Sequence, residues 1–237
     1  MKEGISLLLP AYREEENLGR LLPKAIQVLS GSGLPYEILV IETQEPLDRT
    51  GDVCRQHQVS CIRRENGDFY GDAIRTGIRH AQYDKTVFMD ADGSHNPEDI
   101  LRMLKIMQAE PVDLVIGSRY IAGGDSINGP ILKWMSRILN WIFRMIFHLK
   151  IQDLSNSFRM YRTAQLKELN LQCVNFDIVE EILIRLSMRE NFRCREIPIC
   201  FSKRQAGESK RHLIPFIVSY LSTIVRLKRI CWEKPGK

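Results

Sequence analysis

The chain has no CxxC pair among its six cysteines, which stand at 54, 61, 173, 194, 200 and 231. That spacing excludes a small disulfide framework and a zinc site, and reduced thiols in a cytosolic setting are expected. Long apolar runs are also missing. The longest uncharged one extends only from Leu213 to Val225, short of the ~20 residues that a spanning helix needs. The opening Met1-Lys2-Glu3-Gly4 leads into a brief apolar stretch ending at Pro10, too short for a secretory signal. No signal peptide and no transmembrane helix are therefore expected. Acids are scarce at the C-terminal end, where residues 201 to 237 hold nine Lys/Arg against Glu208 and Glu233, although the whole chain carries only +5. Such a local basic patch suits nucleic acid, an anionic membrane or phosphorylated ligands, and charge alone does not choose among them.

What is present is ordinary globular material, 237 residues of which 44% are hydrophobic, enough for a sizeable core. Apolar strands at Ile5–Leu9, Tyr36–Ile41, Val59–Ile62, Thr86–Met89 and Asp113–Ile116 alternate with helical patterns starting near Glu14, Leu47, Gly71 and Pro97. This rhythm predicts an α/β, Rossmann-like, mostly parallel sheet with helices on both faces. No repeat or low-complexity linker divides the chain, so residues 1 to 237 are read as a single domain.

The most informative stretch is Val87-Phe88-Met89-Asp90-Ala91-Asp92-Gly93-Ser94. A buried strand runs straight into two carboxylates one residue apart, which lie on the same side of an extended segment and can share a hard divalent cation. Asn96-Pro97-Glu98-Asp99 then reads as a helix start. Ligands of open α/β sheets collect at the carboxyl ends of strands, and several other strand ends here are polar. Tyr12, after Pro10, is placed to stack on a base. Glu42 ends the second strand, where a carboxylate can accept from a base or ribose hydroxyl. Gly71 marks a tight turn where backbone must come close. Arg119 follows the fifth strand and is the best anion ligand, because its forked guanidinium is always charged. Arg204 and Lys210 belong to a polar loop that can close over a pyrophosphate.

The second half changes character. Pro130 to Lys150 holds Trp134, Trp141, Phe143 and Phe147 beside Lys133, Arg137, Arg144 and Lys150, and a second basic amphipathic pattern runs from His212 to about Ile230. Aromatic and basic residues on one helix suit a membrane interface. Two membrane-interface helices, and a cytoplasmic protein peripheral on the membrane, are expected.

Together these residues form a recognisable set. LPAYREEENL (9 to 18), GDAIRTGI (71 to 78), MDADGSHNPEDI (89 to 100), VIGSRYIAGG (115 to 124), DLSNSFRMYR (153 to 162) and FSKRQAGESK (201 to 210) resemble, in order, the motifs of family 2 inverting glycosyltransferases of the GT-A type. Within them the chain is similar to the polyprenyl-phosphate (dolichol-phosphate) mannosyltransferase branch. The resemblance implies a GDP- or UDP-linked sugar donor held by Pro10, Tyr12, Glu14 and Glu42, with Asp90, Asp92 and Ser94 at Mg²⁺ or Mn²⁺. Arg204 and Lys210 would clamp the donor pyrophosphate. Arg119, Lys133, Arg137 and Asn156 would meet a polyprenyl phosphate acceptor. Catalysis would rest on Asp90, Asp92 and Arg119. Residues of about 4–125 would form the donor half, and those of about 126–230 the acceptor half with its interface helices. The implied partners are the nucleotide sugar, the lipid, the membrane surface and a membrane protein for docking, with no nucleic acid.

Departures from the pattern are local. Glu42-Thr43-Gln44-Glu45-Pro46 stands where an acidic pair followed by Gly-Ser is usual, Asn156 stands where a small hydroxyl is usual, and Ser94 stands where Gln is frequent. A sugar hydroxyl must lose a proton during attack and needs a positioned base, whereas a polyprenyl phosphate is already anionic. If the acceptor were instead a lipid or glycan hydroxyl, Asp153 is the acid to watch. A reading from another class is a catalytically weak, membrane-associated nucleotide-binding module.

Overall fold

A computed structural model describes residues 1–127, 130–202 and 222–229. Strand β1 (Lys2–Pro10) is followed by α1 (Glu15–Ser30), β2 (Tyr36–Glu42), α2 (Thr50–Gln56), β3 (Ser60–Arg63), α3 (Tyr70–His80), β4 (Tyr83–Phe88), α4 (Asp99–Ala109) and β5 (Leu114–Ser118). The second half contributes β6 (Asp125–Ser126), α5 (Pro130–Phe147), β7 (Arg159–Arg162), α6 (Thr163–Lys167), α7 (Ile178–Ser187), β8 (Cys194–Pro198) and β9 (Cys200–Phe201). Residues 222–229 are helical.

Seven strands form one sheet in the order β3-β2-β1-β4-β7-β5-β8, parallel except for β7, which pairs antiparallel with both neighbours. From β1 the chain winds outward through β2 and β3, then returns to lay β4 on the other side of β1, with Leu8 opposite Phe88. The order reverses between β1 and β4, and in open α/β sheets ligands bind outside the carboxyl ends of the strands at such a reversal. Side chains alternate across the sheet: Ile5, Leu7 and Leu9 pack with α1 and α4, whereas Leu8 and Phe88 pack with α3, α5 and α7. The predicted parallel sheet covered on both faces is what the chain adopts.

Two glycines let backbone approach closely. A Cβ on Gly77 would lie 2.6 Å from Leu8, so α3 sits tight on β1. One on Gly71 would lie 2.5 Å from the Cys173 carbonyl, and the Gly71 N–H donates to Val174 O at 2.7 Å. The turn expected at Gly71 is thus where the 173–174 segment docks. Several helix starts differ from expectation. Helix α2 begins at Thr50 rather than Leu47, because Asp48 is held outside it, accepting from the N–H groups of Glu15 and Thr50. Helix α4 begins at Asp99, after a turn in which Asn96 Oδ1 accepts from Glu98 N. The α5 helix stops at Phe147 instead of Lys150, since His148 takes φ 53°, a left-handed conformation that a helix does not accommodate.

Glu180 on α7 is 6% exposed, and burial pushes its carboxyl up to about 7 against the opposing pull of Arg159. Its folded value lies above the unfolded one, so its contribution to stability is fully present at low pH. It is lost as pH rises through 7, an effect worth on the order of 3 kcal/mol. Glu180→Gln is therefore expected to melt roughly 6–12 °C above wild type at pH 8.5, with the gap closing at pH 4.5. A pH-independent difference in thermal unfolding curves would contradict this.

Candidate active site

The loops at the carboxyl ends of β1, β2, β4 and β5, and the loop that enters antiparallel β7 at its amino end, lie along one edge of the sheet. Pro10 closes β1, and Ala11 N donates to Ile41 O at 2.9 Å, so the first two strand ends stay joined. Tyr12 leaves the sheet with its ring 53% exposed. The next residue, Arg13, adopts φ 56° and lays its guanidinium 5.8 Å from the centroid of that ring. A non-glycine residue in the left-handed region is uncommon and marks local strain. Glu14 is buried, and its Oε2 accepts from Asn17 Nδ2 at 2.6 Å. Glu42, 3% exposed, turns Oε2 toward Arg63 at 3.2 Å and the Cys61 thiol at 3.3 Å. Its Oε1 is buried without a hydrogen bond.

At the end of β4 the chain leaves the sheet through Met89, whose N–H still donates to Leu8 O at 3.1 Å. Asp90 and Asp92 are half-buried. Asp92 Oδ1 accepts from Ser94 N at 3.0 Å, and Gly93 at φ 75° makes the turn. Ser94 Oγ is buried with no hydrogen-bond partner. No cluster of three or more His, Cys, Asp or Glu suited to a metal exists among the described residues. Two carboxylates and an orphaned hydroxyl are hard oxygen donors. That donor set fits Mg²⁺ or Mn²⁺, which keep positions for water and substrate phosphates.

Across the crevice stands a group of cations. Arg119 and Arg137 lie 5.1 and 5.7 Å from the ring centroid of Tyr120, whose hydroxyl donates to Ser136 Oγ at 2.6 Å. Lys133 donates to Asp125 at 2.7 Å, and this exposed partner's carboxyl is lowered by that hydrogen bond and by the one from Ser126 N. Arg119 is 9% exposed and forked on Asp153, with Nε to Oδ2 and Nη2 to Oδ1 each at 2.7 Å. Burial draws its guanidinium down, but the Asp153 charge and hydrogen bonds outweigh this and hold it above the usual arginine value. Asp90 contributes to the same field. Arg119, expected as the best anion ligand, is thus charged but engaged, because its Nη2 also donates to Ser155 Oγ at 2.9 Å.

Two expected roles change here. Asp153 is fully buried, and Oδ2 also accepts from the Arg119 N–H at 2.9 Å. A carboxylate whose oxygens are both held by one arginine does not serve as a base toward a hydroxyl. Asn156, expected at the acceptor phosphate, is 2% exposed and faces inward. Its Nδ2 donates to Gly117 O at 2.5 Å and its Oδ1 meets His95 Nε2 at 3.0 Å. The loop that carries it is pinned from several elements: Glu196 accepts from Gln152 N and Asp153 N, Asn140 Oδ1 accepts from Leu154 N, and fully buried Arg159 donates to the carbonyls of Leu154 and Asn156.

Other residues escape a reading of the sequence. His95 lies next to the paired acids, yet nothing in its spacing marks its contacts. Arg64 is buried and donates to Ala11 O at 2.6 Å, and also to Asp68 O, under the Tyr12 turn. Tyr70 stacks on Phe176 at 4.0 Å, and burial together with the Asp90 charge pushes its hydroxyl up. Arg204, Lys210 and most of the second amphipathic pattern lie outside the described residues. No helix among those described is long and apolar enough to cross a membrane.

A mostly parallel sheet whose order reverses between β1 and β4, with paired acids ending β4, has the architecture of the GT-A fold. The chain belongs to glycosyl transferase family 2, whose model matches residues 6–169. It is 32% identical, over 97% of its length, to the dolichol-phosphate mannosyltransferase of Pyrococcus furiosus, and it spans 64% of that relative. It is 31% identical to the undecaprenyl-phosphate mannosyltransferase of Micrococcus luteus, over 86% of this chain and 85% of that one. In fold it is similar to glucosyl-3-phosphoglycerate synthase of Mycobacterium tuberculosis, solved with Mn²⁺, UDP and phosphoglyceric acid. That similarity has a TM-score of 0.75 at 15% identity, over 99% of this chain and 80% of that one.

Proposed function

We propose that the chain transfers a sugar, mannose by the relatives' names, from a GDP- or UDP-linked donor to a polyprenyl phosphate with inversion. The observation that carries this reading is the closed Arg119–Asp153 fork. The acid best placed to deprotonate a hydroxyl is consumed by Arg119, while Arg137 stays exposed beside Tyr120. An acceptor that is already an anion needs orientation and neutralisation, not a base. Arg119, with Lys133 and Arg137 around Tyr120, would receive that phosphate.

Asp90 and Asp92, with Ser94 Oγ, would hold Mg²⁺ or Mn²⁺. The ion would offset the charge that develops on the departing nucleoside diphosphate. Glu42 Oε1, buried and unpartnered, is positioned as an acceptor for a donor N–H or hydroxyl of the nucleotide. Tyr12 offers an exposed face for stacking, and Arg204 and Lys210 are assigned to the pyrophosphate. Residues of about 4–125 would form the donor half and those of about 126–230 the acceptor half. Helix α5 leaves Trp134, Trp141 and Met145 exposed on one side with Arg137, a surface suited to the headgroup region of a cytoplasmic leaflet and to a docking membrane protein.

The test is a transfer assay with Mn²⁺ or Mg²⁺, a panel of GDP- and UDP-sugars, and polyprenyl phosphate beside the free polyprenol. The expected product is a sugar phospholipid, labile to acid and stable to alkali, formed from the phosphate alone. Equal transfer to the polyprenol would sink the reading.

A further inference from the structure

A buried relay joins the paired-acid turn to the acceptor loop. Asp90 N–H donates to His95 Nδ1 at 3.4 Å. With Nδ1 accepting, a neutral imidazole carries its hydrogen on Nε2, which then donates to Asn156 Oδ1 at 3.0 Å. Asn156 Nδ2 in turn donates to Gly117 O at 2.5 Å. Three strand ends, those of β4, β5 and the entry to β7, are linked through two side chains that are 3% and 2% exposed. The imidazole is fixed in place by Phe158 at 4.8 Å and edge-on by Phe201 at 5.2 Å. Ser202 N donates to Ser94 O at 2.9 Å, so the far side of the same turn is tied to the strand that leads toward residues 203–210.

We propose that the His95–Asn156 pair positions the Asp90–Asp92 turn, so that the metal–nucleotide site and the acceptor loop adopt their geometry together. The inference rests on the metal-dependent transfer reading above. It gives the amide at 156 a physical reason: a small hydroxyl does not span from His95 to the Gly117 carbonyl with an acceptor at one end and a donor at the other. Neither residue touches substrate in this role. Each acts through the Asp90 backbone, and buried networks of this kind couple their members.

The test is Mn²⁺ binding to the full chain, followed by electron paramagnetic resonance with GDP or UDP present, for wild type, His95→Phe, Asn156→Ala and the double variant. His95→Phe keeps a ring between Phe158 and Phe201 and removes both nitrogens. Each single change is expected to weaken Mn²⁺ binding by about fivefold, the size of one lost hydrogen bond, and the double variant is expected to be no weaker than either. Unchanged Mn²⁺ affinity in Asn156→Ala, or losses that multiply in the double variant, would overturn the proposal.

Should Asn156→Ala fail to fold, His95→Asn carries the comparison. Its carbonyl keeps an acceptor for Asp90 N–H but loses the ring, so it should bind Mn²⁺ more tightly than His95→Phe while melting lower. The reverse order of affinities would count against the relay. A wild-type chain that binds no Mn²⁺ with either nucleotide would overturn the transfer reading itself, a result distinct from failure of the variants alone.

Discussion

Asp92→Ala is expected to lower sugar transfer to polyprenyl phosphate by about 10³-fold, the scale on which a preorganised charge at a reacting phosphate acts. Thermal unfolding should barely move. Asp92 is half-buried, and its one hydrogen bond among the described contacts is to Ser94 N, so little of the fold depends on it. Chelation of the divalent ion should reduce wild-type turnover toward the level of the variant, and the variant should be insensitive to chelator. Equal donor consumption by wild type and variant would mean that the paired acids are not the reacting centre.

Asp153→Ala should produce the largest loss of stability. The change leaves Arg119, 9% exposed, without the carboxylate that now accepts its Nε, Nη2 and backbone N–H. Removing one partner of a buried ion pair costs about 3–5 kcal/mol, which for a chain of this size lowers the melting temperature by roughly 10 °C or more. Asp153→Asn keeps the shape and some acceptor capacity and should lose less. Differential scanning calorimetry at neutral pH separates the two. A melting temperature within a degree of wild type for Asp153→Ala would show that the guanidinium finds water or another partner.

Much of the sheet and of the strand ends that carry Asp90 and Glu42 is legible in the sequence. Strands buried on both faces must be apolar throughout, so β1, β2, β4 and β5 stand out as runs such as Ile5–Leu9, and the acids that end those runs fall at the crevice by topology alone. Helix starts were less legible, because Asp48 and Asn96 satisfy N–H groups from positions just outside the helices they serve. The acceptor loop was least legible. Asp153 and Asn156 are polar residues in a polar stretch, and only the fold shows that one meets Arg119, 34 positions earlier, and the other His95, 61 positions earlier. Local pattern carries no information about partners so remote in sequence. For the same reason the resemblance puts Asn156 at the acceptor phosphate, whereas in the fold it is buried and bonded to His95 and Gly117.

The antiparallel strand β7 has a consequence for engineering. It lies between β4 and β5, bonded to both, with Val87 and Val115 facing the same Met160. A fragment cut near residue 125 would therefore contain Glu14, Glu42, Asp90 and Asp92 and still lack the middle plank of its own sheet, leaving two open edges where continuous pairing belongs. Exchange of the C-terminal parts of relatives by splicing at that point would replace a core strand along with the loops that follow. Chimeras should succeed only where the transplanted β7 matches the recipient's β4 and β5, so recombination is constrained by strand packing before it is constrained by substrate.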